Sequence, residues 1–135
     1  MIRQYTGLKK GIRHPMTYIM EACDDVAYLV IDAEDAVKKQ IISFVDLFGW
    51  LDSKCRGDAV SDFVIDSCRN DHNNHLLVKG LSPTEVNDIS MTMFRVHAIN
   101  ALMSVVINAF QDHYKEIMNG AFAGDLVRRK PLPER

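Results

Sequence analysis

The sequence predicts an all-α fold of about four to five helices, two of them long. Three observations carry that reading. Apolar residues recur at helical spacing through most of the 135 residues. Strict β alternation is weak throughout, and two stretches carry explicit helix-start chemistry. At 135 residues and 47% hydrophobic content, the chain suits a single helical domain that can bury a core.

The first helix opens at His14-Pro15, because proline lacks the N–H that would be unpaired at a first helical position. Its apolar positions run through Ile19, Cys23, Val26, Val30 and Val37 to about Lys39, with a break at residues 40–42. Ser43 is placed to cap a shorter helix from Phe44 to about Leu51, with Asp46 in its first turn. A third helix is expected over residues 58–68, with Val60, Phe63, Val64 and Ser67 on one side. The polar run 69–80, rich in Asn and Asp, reads as a loop. Ser82-Pro83-Thr84-Glu85 has the spacing of a capping box and starts a long helix to about Met118, stopped by Asn119-Gly120. Residues 127–135, containing Pro131 and Pro133, are expected to form a flexible tail.

The net charge of −2 supplies no electrostatic footprint for nucleic acid. Only Arg128-Arg129-Lys130 approaches a basic patch, and a solvated charged tail is the favoured reading of it. No apolar stretch nears the roughly 20 residues expected of a bilayer span, and residues 3–14 lack a leader pattern. Cys23, Cys55 and Cys68 are odd in number and form no C-x-x-C pair, so reduced thiols in a cytoplasmic protein are expected.

The first helix carries a narrow acidic stripe. With Asp24 at zero on a wheel of about 100° per residue, Tyr28 falls near 40° and Asp32 near 80°. Glu21, Asp25 and Asp35 share that arc, and the rest of the circumference is almost entirely apolar or small. Two readings are open: the stripe faces water, or it lines a cleft where a divalent metal or a hydroxyl-rich ligand offsets its charge.

The run Arg13-His14-Pro15-Met16-Thr17-Tyr18-Ile19-Met20-Glu21-Ala22-Cys23-Asp24-Asp25-Val26-Ala27-Tyr28 resembles the R-H-P-L-x-x-L-x-E-A-A-D-D-I-x-Y stretch of bacterial dGTP triphosphohydrolases of the HD superfamily. Ile31-Asp32-Ala33-Glu34-Asp35-Ala36 resembles the x-D-x-E-D-A that follows it. Phe110 to Gly120 is similar to the family's F-x-x-N-Y-x-x-I-x-x-G segment, with His113 where asparagine is usual. The likeness covers most of residues 13–120 and implies an HD-domain-like helical fold. It also implies hydrolysis of a deoxynucleoside triphosphate to deoxynucleoside and triphosphate, assisted by a divalent metal (Mg²⁺ or Mn²⁺). In that resemblance Asp24 is the last metal ligand, and Tyr28 and Asp32 border the deoxyribose. A metal in such a site polarises phosphate and activates water.

The family's His…His-Asp set lies upstream of the matched region, and the sequence contains no adjacent His-Asp pair. Three or four ligands are needed where one aspartate is present. The chain alone is therefore expected to be inactive and to hold no metal tightly, as a piece of a larger enzyme or a truncated gene product. The rival expectation is a non-catalytic helical interaction module. Met91, Met93, Met103 and Met118 suggest an adaptable packing surface through which copies would form a homo-oligomer. His72 and His75, beside Asp71, are read as surface histidines in preference to a metal pair, and His97 as a packed histidine. Arg95 is equally suited to pairing with an acid or approaching phosphate, and Arg13 and His14 to the cleft or to solvent.

Overall fold

A computed structural model describes Lys9 and residues 11–127. The expected flexible tail beyond residue 127 and the basic triplet Arg128-Arg129-Lys130 lie outside the described residues. The elements are α1 (Pro15–Lys38), α2 (Phe44–Cys55), α3 (Ala59–Leu76), α4 (Pro83–Asp112) and α5 (Tyr114–Met118). No strand occurs among the described residues, so the class is all-α.

The start and stop chemistry behaves as its residues dictate. The His14 ring nitrogen accepts the Met16 N–H at 3.2 Å, satisfying one orphan donor of α1. α1 ends where Gln40 turns to φ 57° and the Ile41 N–H reaches back to the Ala36 carbonyl at 2.9 Å, a left-handed C-terminal cap. The Ser43 hydroxyl accepts the Asp46 N–H at 3.0 Å. Asp58 accepts from the N–H groups of Val60 and Ser61 to open α3. In the Ser82 box the Glu85 N–H donates to the Ser82 hydroxyl, and the Glu85 carboxylate accepts the Ser82 N–H at 2.8 Å. The Ser82 N–H and the Ser82 hydroxyl, which also donates to the carboxylate at 2.8 Å, hold the Glu85 carboxyl below its usual pKa.

Three boundaries differ from expectation. α2 runs one turn further, to Cys55. The supposed loop at residues 69–80 is helical as far as Leu76. Asn and Asp are poor helix formers, but tertiary packing overrides that small preference: the His72 ring stacks on Phe44 at 4.2 Å, and its Nδ1 lies 2.8 Å from the Ser90 hydroxyl. Third, the last helix breaks at His113, whose φ of −101° and ψ of 12° separate α4 from α5.

The chain divides into two compact units. One is Ala27–Leu102. Its core gathers Val30, Val37, Phe44, Phe48, Cys68, Met91, Phe94 and Ala98. Phe44 stacks on Phe48 at 4.3 Å, and Phe48 meets Phe94 edge-on at 5.7 Å. Burial pushes the Cys68 thiol up to about 12, so it acts as a small apolar side chain. Around this core Arg56 joins Asp52 at 2.7 Å to Asp66 at 2.5 Å, while Arg69 reaches Asp52 at 3.2 Å. The two guanidiniums lower the Asp52 carboxyl pKa, with Arg56 the larger cause.

The other unit comprises the described residues on either side of Ala27–Leu102. Tyr18, Ala22, Val26, Val106, Ile117 and Leu126 are buried in it. The Tyr18 hydroxyl donates to the Phe122 carbonyl at 2.7 Å, and the two rings meet edge-on at 5.4 Å. Gly120 makes this return possible. Its φ is 72°, and a Cβ there would fall 2.6 Å from the Ile12 side chain.

α4 corrects one reading of the sequence, since by length and composition alone it is apolar enough to cross a membrane. That is weak evidence, because it also supplies Met91, Phe94 and Ala98 to the Ala27–Leu102 core. Its Arg95 and His97 are paired with acids on other helices of that unit.

Candidate functional site

α1 presents two unlike faces. Ala22, Val26, Val30 and Glu34 follow one another at every fourth position and are all buried. Two residues out of phase, about 200° around the helix, stand Asp24, Tyr28 and Asp32. These three are exposed, Tyr28 to 69%. At about 1.5 Å rise per residue, successive members lie roughly 6 Å apart along the helix axis. Helical geometry therefore aligns the three residues singled out from the sequence.

The neighbouring acids divide into two groups. Glu21 is ion-paired with Arg13, whose guanidinium also sits 4.5 Å over the Tyr18 ring; that hydrogen bond raises the Arg13 pKa. Asp35 is paired with Lys39 at 3.0 Å. Asp24, Asp25 and Asp32 have no ion pair among the described residues. Arg13 is thus turned to its own helix, and His14 is exposed at the N-terminus of α1. The stripe is bordered by exposed apolar side chains: Met20 at 63% and Ile31 at 47% on one side, Leu29 at 63% on the other. A carboxylate row edged with unburied apolar chains differs from an ordinary solvated helix face, where polar residues fill the outer arc.

The described residues contain no group of three His, Cys, Asp or Glu side chains arranged to hold a metal ion. A typical metal centre takes three or four such ligands, and Asp24 by itself offers one carboxylate. His72 is occupied by Ser90 and Phe44, and burial with the nearby His75 lowers its pKa. The Nδ1 of His75 is buried with no hydrogen-bond partner among the described residues. His97 is packed as expected, with Nε2 2.8 Å from Asp71 Oδ2 and its ring edge-on to Phe63.

Sequence reasoning missed a buried carboxylate held by two cations. Glu34 is 3% exposed, takes both oxygens to Arg95 at 3.0 and 3.2 Å, and receives Lys38 at 2.5 Å. Its position in phase with Val26 and Val30 was the available clue: an acid on the core face needs a cation. Arg95, open between acid and phosphate from sequence alone, is committed to the acid. His113, at the position where asparagine is usual, lies 3.1 Å from Glu116 and 4.8 Å ring to ring from Phe122.

No protein-family model matches the chain. It is 28% identical over 94% of its length to a deoxyguanosinetriphosphate triphosphohydrolase-like protein of Pseudomonas aeruginosa, covering 25% of that protein. A probable deoxyguanosinetriphosphate triphosphohydrolase of the same organism is 29% identical over 98% of the chain, which covers 28% of it. The deoxyguanosinetriphosphate triphosphohydrolase of Klebsiella pneumoniae subsp. pneumoniae is 32% identical over 90% of the chain, which covers 24% of it. The chain is thus homologous, over nine-tenths or more of its own length, to a segment making up about a quarter of proteins named deoxyguanosinetriphosphate triphosphohydrolase.

Proposed function

We propose that this chain is the segment of a metal-dependent dNTP triphosphohydrolase that supplies one metal ligand and the sugar-facing wall of the active site. Asp24 is the metal ligand, and Tyr28 and Asp32 face the deoxyribose. The observation that carries the reading is the alignment of these three residues on one exposed helix face, with both carboxylates free of ion pairs among the described residues. A carboxylate that serves a cation or a sugar hydroxyl is best left without a permanent protein cation, and among the described residues Asp24 and Asp32 have none. Tyr28 offers a flat apolar ring with a polar tip, suited to packing on a sugar and leaving little room for a 2′-hydroxyl. The homology to proteins of that name supports the substrate class.

Hydrolysis is not assigned to this chain acting alone, because one carboxylate does not make a metal centre. The test is a chimera in which this chain replaces the homologous quarter of the Klebsiella pneumoniae relative. The chimera is expected to release triphosphate from dGTP, the isolated chain is not, and Asp24→Asn in the chimera is expected to abolish release. Full activity in the folded Asp24→Asn chimera would overturn the assignment.

One observation favours a second reading, a non-catalytic interaction module. Only 17% of the most apolar stretch of α4 is buried, and Val96 and Ile107 are substantially exposed. Such a surface favours self-association. Under this reading the isolated chain forms a defined oligomer, and the chimera stays inactive although folded.

A further inference from the structure

Within the Ala27–Leu102 unit, a cavity of about 260 Å³ opens between α2 and α3. Phe44, Phe48 and His72 form its aromatic side, and Gly49, Arg69 and Asn73 border it. Phe44 stacks with Phe48 at 4.3 Å and with His72 at 4.2 Å, so the wall is a fixed run of rings that shows its edges to the cavity. Gly49 is the telling member. It lies inside α2, where glycine is a poor helix former. Its φ is not positive, and a Cβ built there would meet nothing within 4 Å. Gly49 is exposed, and with no side chain it leaves the border of the cavity beside it clear.

The polar border narrows the chemistry. Arg69 spends one contact on Asp52, a carboxylate it shares with Arg56, and a guanidinium has five N–H donors. Asn73 is exposed and adds an amide. Arg56 also engages Asp66 and, at 3.5 Å, Asp62, so the surrounding network of two arginines and three aspartates is not cationic. It therefore offers directional donors without surplus positive charge. His72 is held by Ser90 through Nδ1, leaving its ring fixed in the wall.

We propose that this cavity is a binding site for a small planar aromatic or heteroaromatic molecule carrying a hydrogen-bond-accepting oxygen. The flat ring lies against the Phe44, Phe48 and His72 side over Gly49, and the oxygen accepts from Arg69 and Asn73. The site shares no residue with the Asp24, Tyr28, Asp32 face.

The test is a titration of the ¹⁵N-labelled chain with benzamide, following the Gly49 backbone amide and the Asn73 side-chain amide by NMR. Saturable shifts at both are expected. Cyclohexanecarboxamide, which is not planar, and toluene, which lacks the acceptor, should each bind at least about fivefold more weakly. Gly49→Leu should fill the cavity and abolish the shifts while raising the thermal midpoint, since leucine favours helix. Gly49→Ala, a smaller change, should weaken binding while leaving the chain folded. Arg69→Met should remove the preference for benzamide over toluene. Absence of saturable shifts up to the solubility of benzamide, or binding unchanged in both folded Gly49 variants, would overturn the proposal.

Discussion

The two faces of α1 differ in how completely their chemistry is satisfied within this chain. On the core face even the charge is settled, because Glu34 is buried with Arg95 and Lys38 around it. On the opposite face Asp24 and Asp32 stand exposed without ion pairs among the described residues, beside exposed Met20, Tyr28 and Ile31. One face was built for stability inside the chain. The other leaves two carboxylates without a cation among the described residues.

Stability measurements can break that contrast, and the core face should give the largest effect. Glu34→Ala removes a buried carboxylate that holds Arg95 and Lys38, and both cations are exposed enough to be solvated once it is gone, so urea denaturation should show a loss of about 2 kcal/mol. Asp24→Ala and Asp32→Ala should each lie within about 0.5 kcal/mol of the parent. If Asp32→Ala costs as much as Glu34→Ala, the exposed face is structural and the contrast fails.

How much of this was readable beforehand depended on how local each cause was. Caps depend on residues within one turn, so Ser43 and the Ser82–Glu85 box could be identified directly from the sequence. The acidic stripe is also a property of one helix, which is why Asp24, Tyr28 and Asp32 could be aligned without a structure. The phase of Glu34 on its helix shows locally that it needs a cation, but the partner, Arg95, lies 61 positions away and nothing local identifies it. The continuation of α3 through Asn70–Asn74 was hidden for the same reason, since its support comes from Phe44 and Ser90 on other helices.

Smaller effects sharpen the comparison. Tyr18→Phe deletes the hydroxyl that holds the Phe122 carbonyl and should cost about 1 kcal/mol in the same denaturation assay. Ser43→Ala should also cost about 1 kcal/mol through the lost α2 cap. Gln40→Gly should instead stabilise by several tenths to about 1 kcal/mol, because glycine accepts the φ of 57° that glutamine adopts under strain. A circular-dichroism melt of each variant reads the sign.

His72 gives the smallest effect and a pH direction. Burial holds its folded pKa below the ordinary value of 6.5, so the unfolded chain takes up the proton first. Stability should therefore be fully present above pH 6.5 and fall as the pH drops through the lowered folded pKa. His72→Gln should flatten that part of a stability-against-pH curve.

Calorimetric titration with Mn²⁺ of the isolated chain and of the Klebsiella pneumoniae chimera asks whether Asp24 completes a metal site. The account predicts no tight binding by the chain alone, tight binding by the chimera, and loss of that binding in the Asp24→Asn chimera. Tight binding by the chain alone, or binding by the chimera that survives Asp24→Asn, would contradict it.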